Sequence, residues 1–529
     1  MEIPRNIEET LLSGKNLLLP TYRNMKPILY VLALFCWLTS YGQKEKPLDL
    51  AVQIVINPSV TYQTIEHFGA SDAWSCQFVG QWPDAKRNAI ADLLFSREMS
   101  PNGQPKGIGL SLWRFNLGAG TTEQGANSGI KDEWRRAESF LRPDGTYDWD
   151  KQAGQRWFLE AAKQRGVPYF LAFPNSPPVS LTTNGKGFAT NKTPNLSPER
   201  YDDFADFMAQ SLKGIQAKTG VSFNYISPVN EPQWDWSDGG QEGTPFYNQQ
   251  IAGICRALNK ALVNAKLSTQ INVAEAGQLE FLYSEHGRAG KGNQIQAFFD
   301  KNSPDYLGDL SQLTRAISGH SYFTSSPYDK AVNVRKQVLT ELNKQQELRY
   351  WMSEYCILGD NDGEINGSGK DLGMNPALYV AKLIHNDLTN ANATAWHWWL
   401  AISPYNYKDG LIYIDKNKTD GHFQPSKMLW ALGNYSRFIR PGAVRVDVTL
   451  SQTNQALYVS SYKNTDGRLV TVLVNASDIP VAIQPNVTSK KRTRWEAFTT
   501  SESEDLHPTS ISSKPLIIKE KSIVTLVEK

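Results

Sequence analysis

The sequence predicts an α/β protein: a (β/α)8 TIM barrel with an additional antiparallel β-sandwich side domain. Three features point there. Between residues 66 and 440, eight short apolar segments alternate with longer amphipathic ones, the pattern of parallel βαβ units. After Pro441-Gly442 the helical period disappears and short strands follow one another across turns such as Asn464-Thr465-Asp466-Gly467. The 529 residues also suffice for a barrel plus one accessory domain.

The elements follow in order. Met25-Lys26 opens a short positive region, 28–38 is a nearly continuous apolar run, and Ser40-Tyr41-Gly42 supplies a small-residue cleavage site. Residues 1–43 therefore read as an upstream extension and an export signal, the run being short for a membrane span. An N-terminal anchor is the alternative, and Cys36 within the run leaves lipid attachment open. The expected location is exported: periplasmic, cell-surface or secreted, with no stable membrane span after cleavage. Residues 44–65, carrying a strand at 50–56, join 441–529 in the side domain. The barrel spans 66–440, with strands at 67–74, 108–117, 168–175, 223–230, 270–276, 316–322, 349–355 and 393–400. Helices are expected over 84–95, 151–165, 198–218, 244–265, 330–345 and 375–388. In the third of these, Tyr201, Phe204, Phe207, Met208 and Leu212 recur at helical spacing after Ser197-Pro198-Glu199, a capped start. Side-domain strands are expected at 444–448, 456–462, 470–474, 493–498 and 523–527.

Composition narrows the function. Lysine and arginine (55) nearly balance aspartate and glutamate (53), for a net charge of +2, so no nucleic acid is expected as partner. Outside the apolar run, Cys76, Cys255 and Cys356 make neither an even disulfide framework nor a metal-ligand spacing; no metal and no cofactor are expected. The 15 Trp and 22 Tyr are the informative bias. Flat rings among polar groups suit a carbohydrate substrate, whose C–H faces pack on rings while its hydroxyls need hydrogen bonds. Oligomeric state is not legible.

In a barrel the chemistry sits where strands end. The fourth predicted strand ends Asn230-Glu231-Pro232 and the seventh Ser353-Glu354-Tyr355, so both place a glutamate at the catalytic rim. Cleaving a glycosidic bond needs one protonated carboxyl for the leaving oxygen and one ionised carboxylate to attack or to activate water. Each glutamate alone has a plain reading: Glu231 before Pro232 starts a helix, and Glu354 pairs with an arginine such as Arg114. The two together favour chemistry.

From about residue 67 to the C-terminus the chain resembles glycoside hydrolase family 30, in a clan of retaining (β/α)8 hydrolases. The resemblance rests on Phe68-Gly69-Ala70-Ser71-Asp72-Ala73-Trp74, on Leu112-Trp113-Arg114-Phe115-Asn116-Leu117-Gly118, and on Asn175-Ser176-Pro177-Pro178. It continues through Asn230-Glu231-Pro232, His320-Ser321-Tyr322 and Ser353-Glu354 to the passage from Leu432 to Gly442. It implies Glu231 as acid/base, Glu354 as nucleophile, Asn230 on the sugar 2-hydroxyl and Arg114 holding Glu354 ionised. Tyr322 is expected to contact Glu354, and His320 either orders the site floor or is purely structural. On the eighth strand, alternation puts Trp396 and Trp398 on one face and Trp399 on the other. Trp398 is expected as the sugar platform, with core packing as its alternative. Asp72, Trp74, Trp234 and Trp236 are rim candidates for substrate contact.

The stretches from Tyr147 to Trp157 and Gln241-Glu242-Gly243 resemble the endo-β-1,6-galactanase branch most, with glucosylceramidases also similar. Pro178 is followed by Val179-Ser180-Leu181 where that branch carries bulky aromatics, so a stacking surface is missing or supplied elsewhere. The expectation is an exported retaining O-glycoside hydrolase acting on a β-linked glycan, β-1,6-galactan first. Alternatives are β-glucosidase or glucosylceramidase, β-1,6-glucanase and xylanase activity, and, in another class, a catalytically silent carbohydrate-binding protein. The side domain is read as a packing partner of the barrel, with a polysaccharide-binding module as the alternative.

Overall fold

A computed structural model describes residues 51–452, 456–511 and 515–529. The expected export signal lies outside the described residues. Among the described residues no helix is long and apolar enough to cross a membrane.

Strand β1, Val52–Thr64, precedes the barrel. The barrel strands are β2 (His67–Ser71), β3 (Leu112–Asn116), β4 (Tyr169–Phe173), β5 (Tyr225–Ile226), β6 (Gln270–Ala276), β7 (Leu313–His320), β8 (Arg349–Glu354) and β9 (Ala395–Ser403). Each pairs in parallel with its sequence neighbour, and β9 closes the ring by pairing with both β8 and β2. Nearly every residue in these strands is buried, which is why they read as continuous apolar runs rather than alternating ones. β5 is far shorter than its predicted segment. Pro228 has no N–H for the ladder, and the chain leaves the sheet there before turning at Glu231. Two strands went unpredicted: β10 (Gly410–Ile414) extends β9 in parallel, and β11 (Phe423–Pro425) pairs antiparallel with β10.

The helices Asp84–Phe95, Ala153–Gln164, Tyr201–Thr219, Asn248–Asn264, Tyr328–Leu342 and Met374–Asn390 follow the predicted segments closely and alternate with the strands. In Tyr201–Thr219 the predicted stripe of Phe204, Phe207, Met208 and Leu212 is buried. Inside the barrel, the lower layer is aromatic. His67 touches the rings of Tyr169, Tyr225, Trp351 and His397 at centroid separations of 4.6–5.7 Å. Above this aromatic layer the interior turns polar and charged.

The C-terminal sheet contains β12 (Val444–Leu450), β13 (Leu457–Lys463), β14 (Leu469–Asn475), β15 (Val481–Val487), β16 (Trp495–Ser501), β17 (Glu504–Ser510), β18 (Leu516–Ile518) and β19 (Ser522–Glu528). Its order is β17-β16-β19-β14-β13-β12-β1-β15-β18, so β1 is an interior strand of a sheet built otherwise from the other end of the chain. β1 runs antiparallel to β12 and parallel to β15. Alternation along β14 serves two cores: Leu469 and Leu473 join the sheet's own core, while Val470, Val472 and Val474 join the barrel's. The strands β15, β17 and β18 were not predicted. β17 and β18 are edges, and Pro485 and Pro508 interrupt the β pattern of β15 and β17.

Candidate active site

The polar upper layer is assembled from strand ends. Arg114 of β3 is fully buried. Its Nη1 donates to Glu354 Oε2 at 2.5 Å, and its Nη2 donates to Asn230 Oδ1 at 3.0 Å and Glu275 Oε2 at 3.3 Å. The guanidinium lies 3.6 Å from the ring centre of Phe173, at the end of β4, a cation–π contact that offsets part of its desolvation. Asn230 donates to Asn175 Oδ1 at 3.1 Å, and the Tyr322 hydroxyl donates to Glu354 Oε1 at 3.2 Å. His320, at the end of β7, sits between two glutamates: Nδ1 is 2.8 Å from Glu231 Oε1 and Nε2 is 2.8 Å from Glu275 Oε2.

Glu231, His320 and Glu354 bring one polar atom each within 4.8 Å of one another, the single such group of potential metal ligands among the described residues. In this arrangement Glu231 already hydrogen-bonds His320, and Glu354 is bound to Arg114 and Tyr322. The backbone at the site is strained. Glu231 (φ +44°), Trp236 (φ +47°), Glu275 (φ +49°) and Phe323 (φ +60°) all occupy the left-handed region, at roughly 1–2 kcal/mol each for residues with a Cβ. Such strain concentrates where the surrounding structure aims a side chain.

Electrostatics divide the carboxylates. Burial and the neighbouring Glu354 push the Glu231 carboxyl up, against the pull of His320. Burial also pushes Glu275 up, but Arg114, His320 and Ser227 outweigh it and hold Glu275 well below the usual carboxylate range. Burial would lower His320, yet Glu354, Glu231 and Glu275 around it push it up to about 10. The site thus holds one carboxyl with a raised proton affinity, one carboxylate held well below the usual range, and a histidine hydrogen-bonded between them.

Above the carboxylates opens a cavity of about 610 Å³, a size that suits a small ligand or part of a polymer. Asn230, Glu231, Tyr322 and Glu354 form its floor, and Trp234, Trp236, Phe323, Leu358 and Trp399 supply apolar walls. Two glycines seat the rim tryptophans: a Cβ on Gly277 would stand 2.3 Å from Trp234 Nε1, and one on Gly243 would stand 2.4 Å from the Trp236 ring. The Trp236 indole donates to the Glu231 carbonyl at 3.0 Å, fastening the wall to the backbone of Glu231. Phe323 is 58% exposed and meets Trp234 edge-on at 5.8 Å.

Most of the predicted site residues meet here: Arg114, Asn230, Glu231, Trp236, His320, Tyr322 and Glu354. Three do not. Trp398 is fully buried, and its Nε1 donates to the Asp409 carbonyl at 2.7 Å. Its neighbour Trp399 lines the cavity instead. Alternation separated the two tryptophans correctly, but both faces of a barrel strand are buried, so periodicity alone does not say which face is inside. Asp72 is buried behind β3, accepting from Asn116 N at 2.8 Å and Gln155 Nε2 at 3.1 Å, and burial pushes it up to about 8. Trp74 packs edge-on against Trp399 at 5.4 Å and does not line the cavity. The residue that sequence reasoning missed is Glu275. It lies one position before the end of β6, where the strand-end rule that found Glu231 and Glu354 would have reached it.

This geometry has counterparts among known proteins. The model of O-glycosyl hydrolase family 30 matches residues 51–413, and the family's β-sandwich domain matches 442–526. The chain belongs to glycoside hydrolase family 30. As a family 30 member it is a glycosidase, with the closed parallel barrel and β-sandwich-type side domain of that family. An endo-β-1,6-galactanase of Hypocrea rufa is 26% identical over 405 residues, covering 74% of this chain and 75% of the relative. The glucuronoxylanase XynC of Bacillus subtilis is 31% identical over 436 residues, covering 80% and 85%. Among solved structures, a conserved exported protein from Bacteroides fragilis is 34% identical with a TM-score of 0.85, covering 90% of this chain and 99% of that one. Family 30 membership therefore rests on both parts of the chain, barrel and side domain alike.

Proposed function

We propose that the protein is an exported retaining hydrolase of β-1,6-galactan, with Glu354 as nucleophile and Glu231 as acid/base. The observation that carries the mechanism is the approach of the two carboxyl groups: one oxygen of Glu231 and one of Glu354 lie within 4.8 Å of each other. Retaining glycosidases place the pair about 5–5.5 Å apart, whereas inverting ones need about 6.5–9.5 Å to admit water. In the first step Glu354 attacks the anomeric carbon while Glu231 gives its proton to the departing glycosidic oxygen. In the second, Glu231 takes a proton from water, whose oxygen displaces Glu354 from the same face it left. Arg114 and Tyr322 hydrogen-bond the two oxygens of Glu354 and aim it. Asn230, itself oriented by Asn175 and Arg114, is placed to hydrogen-bond the 2-hydroxyl as charge develops on the ring. Trp399 is the sugar platform, and Trp234, Trp236 and Phe323 provide the stacking surface that Val179-Ser180 does not.

The galactan assignment is supported by similarity to the endo-β-1,6-galactanase over three quarters of each chain. The higher identity to a glucuronoxylanase supports a second reading, a xylan. Export is supported by the apolar 28–38 run and by similarity to an exported Bacteroides protein. A panel of β-1,6-galactan, β-1,6-glucan, glucuronoxylan and glucosylceramide, incubated with wild type, Glu231→Gln and Glu354→Gln, tests the proposal. Galactan oligosaccharides from wild type alone are expected. Products from xylan only would refute the sugar, and undiminished hydrolysis by both variants would refute the mechanism.

A further inference from the structure

Glu275 has no place in the two-step mechanism, yet the barrel spends a great deal of structure on it. It is fully buried and every group facing it is a donor or a hydroxyl. Ser227 Oγ stands 2.6 Å from Oε1, and Oε2 receives Ser353 Oγ at 2.8 Å, His320 Nε2 at 2.8 Å and Arg114 Nη2 at 3.3 Å. Its backbone N–H donates to Ser318 Oγ at 3.0 Å, and its carbonyl accepts the N–H of Glu231 at 2.9 Å. β3, β7, β8 and the residue just after β5 all hold this one glutamate in place.

We infer that Glu275 is a positioning residue that fixes the tautomer of His320 and thereby keeps the catalytic proton on the Glu231–His320 pair. The argument is one of donors and acceptors, and it rests on the assignment of Glu231 as acid/base. An ionised carboxylate only accepts. His320 Nε2 must therefore carry a hydrogen toward Glu275. The other ring nitrogen, Nδ1, then faces Glu231 Oε1 at 2.8 Å, and a single proton occupies that line. It resides on oxygen as a carboxylic acid or on nitrogen as an imidazolium, with the same net charge either way. The remaining charged or titratable groups facing the pair are Arg114, Glu354, Tyr322 and Cys356.

The proton then balances across the cycle. When the bond from the anomeric carbon to the leaving oxygen breaks and the bond to Glu354 forms, the pair gives its shared proton to that oxygen. Glu231 is left ionised, facing the bare lone pair of Nδ1. That repulsion raises the pair's appetite for a proton, and the attacking water of the second step supplies it. If Nε2 instead lost its hydrogen, Nδ1 would donate to an ionised Glu231 and the pair would enter the first step one proton short.

The test uses the full chain and a matched pair of substrates, the phenyl and 2,4-dinitrophenyl β-glycosides of whichever of galactose, glucose or xylose the wild type cleaves. A dinitrophenolate leaves without protonation and a phenolate needs it. Glu275→Gln is expected to lose about 100-fold in kcat/KM on the phenyl substrate, the scale of general-acid assistance, and less than about 5-fold on the dinitrophenyl one. The alkaline limb of its kcat/KM profile is expected to move to lower pH by about one unit, because removing an anion eases deprotonation of the pair. Equal losses on both substrates with an unmoved limb, or no loss, would overturn the inference. Glu231→Gln is run alongside: if it shows no leaving-group discrimination, the acid/base assignment itself falls. If it discriminates and Glu275→Gln does not, only the tautomer role falls. Should Glu275→Gln not fold, neutron diffraction from wild-type crystals decides. Deuterium on His320 Nε2 is expected, and a bare Nε2 facing a deuterated Glu275 contradicts the inference.

Discussion

At the scale of single residues, the two adjacent tryptophans of β9 separate function from packing. Trp399 lines the cavity, with Arg114 5.8 Å from its ring centre and Trp74 behind it. Trp398 points the other way, into the barrel wall, and its indole satisfies the Asp409 carbonyl. Trp398→Phe is therefore expected to lower stability by about 1–3 kcal/mol through the lost buried hydrogen bond, with kcat/KM unchanged. Trp399→Phe is expected to leave the melting temperature near wild type and lower kcat/KM about tenfold, or about 1.4 kcal/mol of transition-state binding. Thermal melts and steady-state kinetics on the two variants check this, and the reverse ranking would return Trp398 to the cleft. Why Glu231 and Glu354 were legible and Trp399 was not follows from the same geometry. A glutamate at a strand end has little use in a core, so its residue type marks it. A tryptophan suits either buried face, and only the closed ring of strands decides which face is inside.

At the scale of elements, the loops that shape the cavity are tied by a buried carboxylate. Glu242, in the loop after β5, accepts from Ala119 N and from Thr121 Oγ1 at 2.5 Å in the loop after β3. Burial, with some repulsion from Glu123, pushes it up from 4.5 to about 7. The folded chain thus binds this proton more tightly than the unfolded one. Its contribution to stability is complete below about pH 4.5 and is lost as the pH rises through about 7. Asp72, pushed up to about 8, acts in the same direction. The buried imidazoles His67 and His385, pushed down to about 4, act in the opposite sense below about 6.5, where unfolded histidine gains its proton. The melting temperature is expected to fall between pH 6.5 and 8, and to fall less steeply in Glu242→Gln, whose amide can still bridge the two loops. Equal slopes for variant and wild type in calorimetry would contradict the assignment. The seven longer barrel strands were readable because each is an apolar run followed by a helical period. β5 was overextended because Pro228 interrupts a hydrogen-bond ladder, not a hydrophobic pattern. β10 and β11 were overlooked because they extend the wall outside the eightfold repeat.

At the scale of the whole molecule, barrel and side domain share a core. Tyr462, Val470, Val472, Val474 and Ile523 face the barrel. The helix Lys427–Ser436 is pinned from that side, Asn434 Nδ2 donating to Thr500 Oγ1 at 2.6 Å and Thr525 Oγ1 donating to the Asn434 carbonyl at 2.7 Å. β1 belongs to the side domain's sheet although it precedes the barrel, so the side domain is built from two stretches of chain that flank the barrel. A chain ending at Pro441 would expose this apolar face and strip β1 of both neighbours; it is expected to be insoluble, and a soluble, active truncation would contradict the packing role. The sequence pointed to this arrangement through the strand pattern at 50–56, while β15 and β17 stayed hidden behind their prolines. The central claim, that two carboxylates at this barrel mouth act as nucleophile and acid/base, is tested most directly by trapping. The protein is incubated with the 2-deoxy-2-fluoro β-glycosyl fluoride of the sugar it cleaves, and digested for mass spectrometry. The label is expected on Glu354, with Glu354→Gln unlabelled. A label on another carboxylate, or an inverted product by NMR with no adduct, would contradict the account.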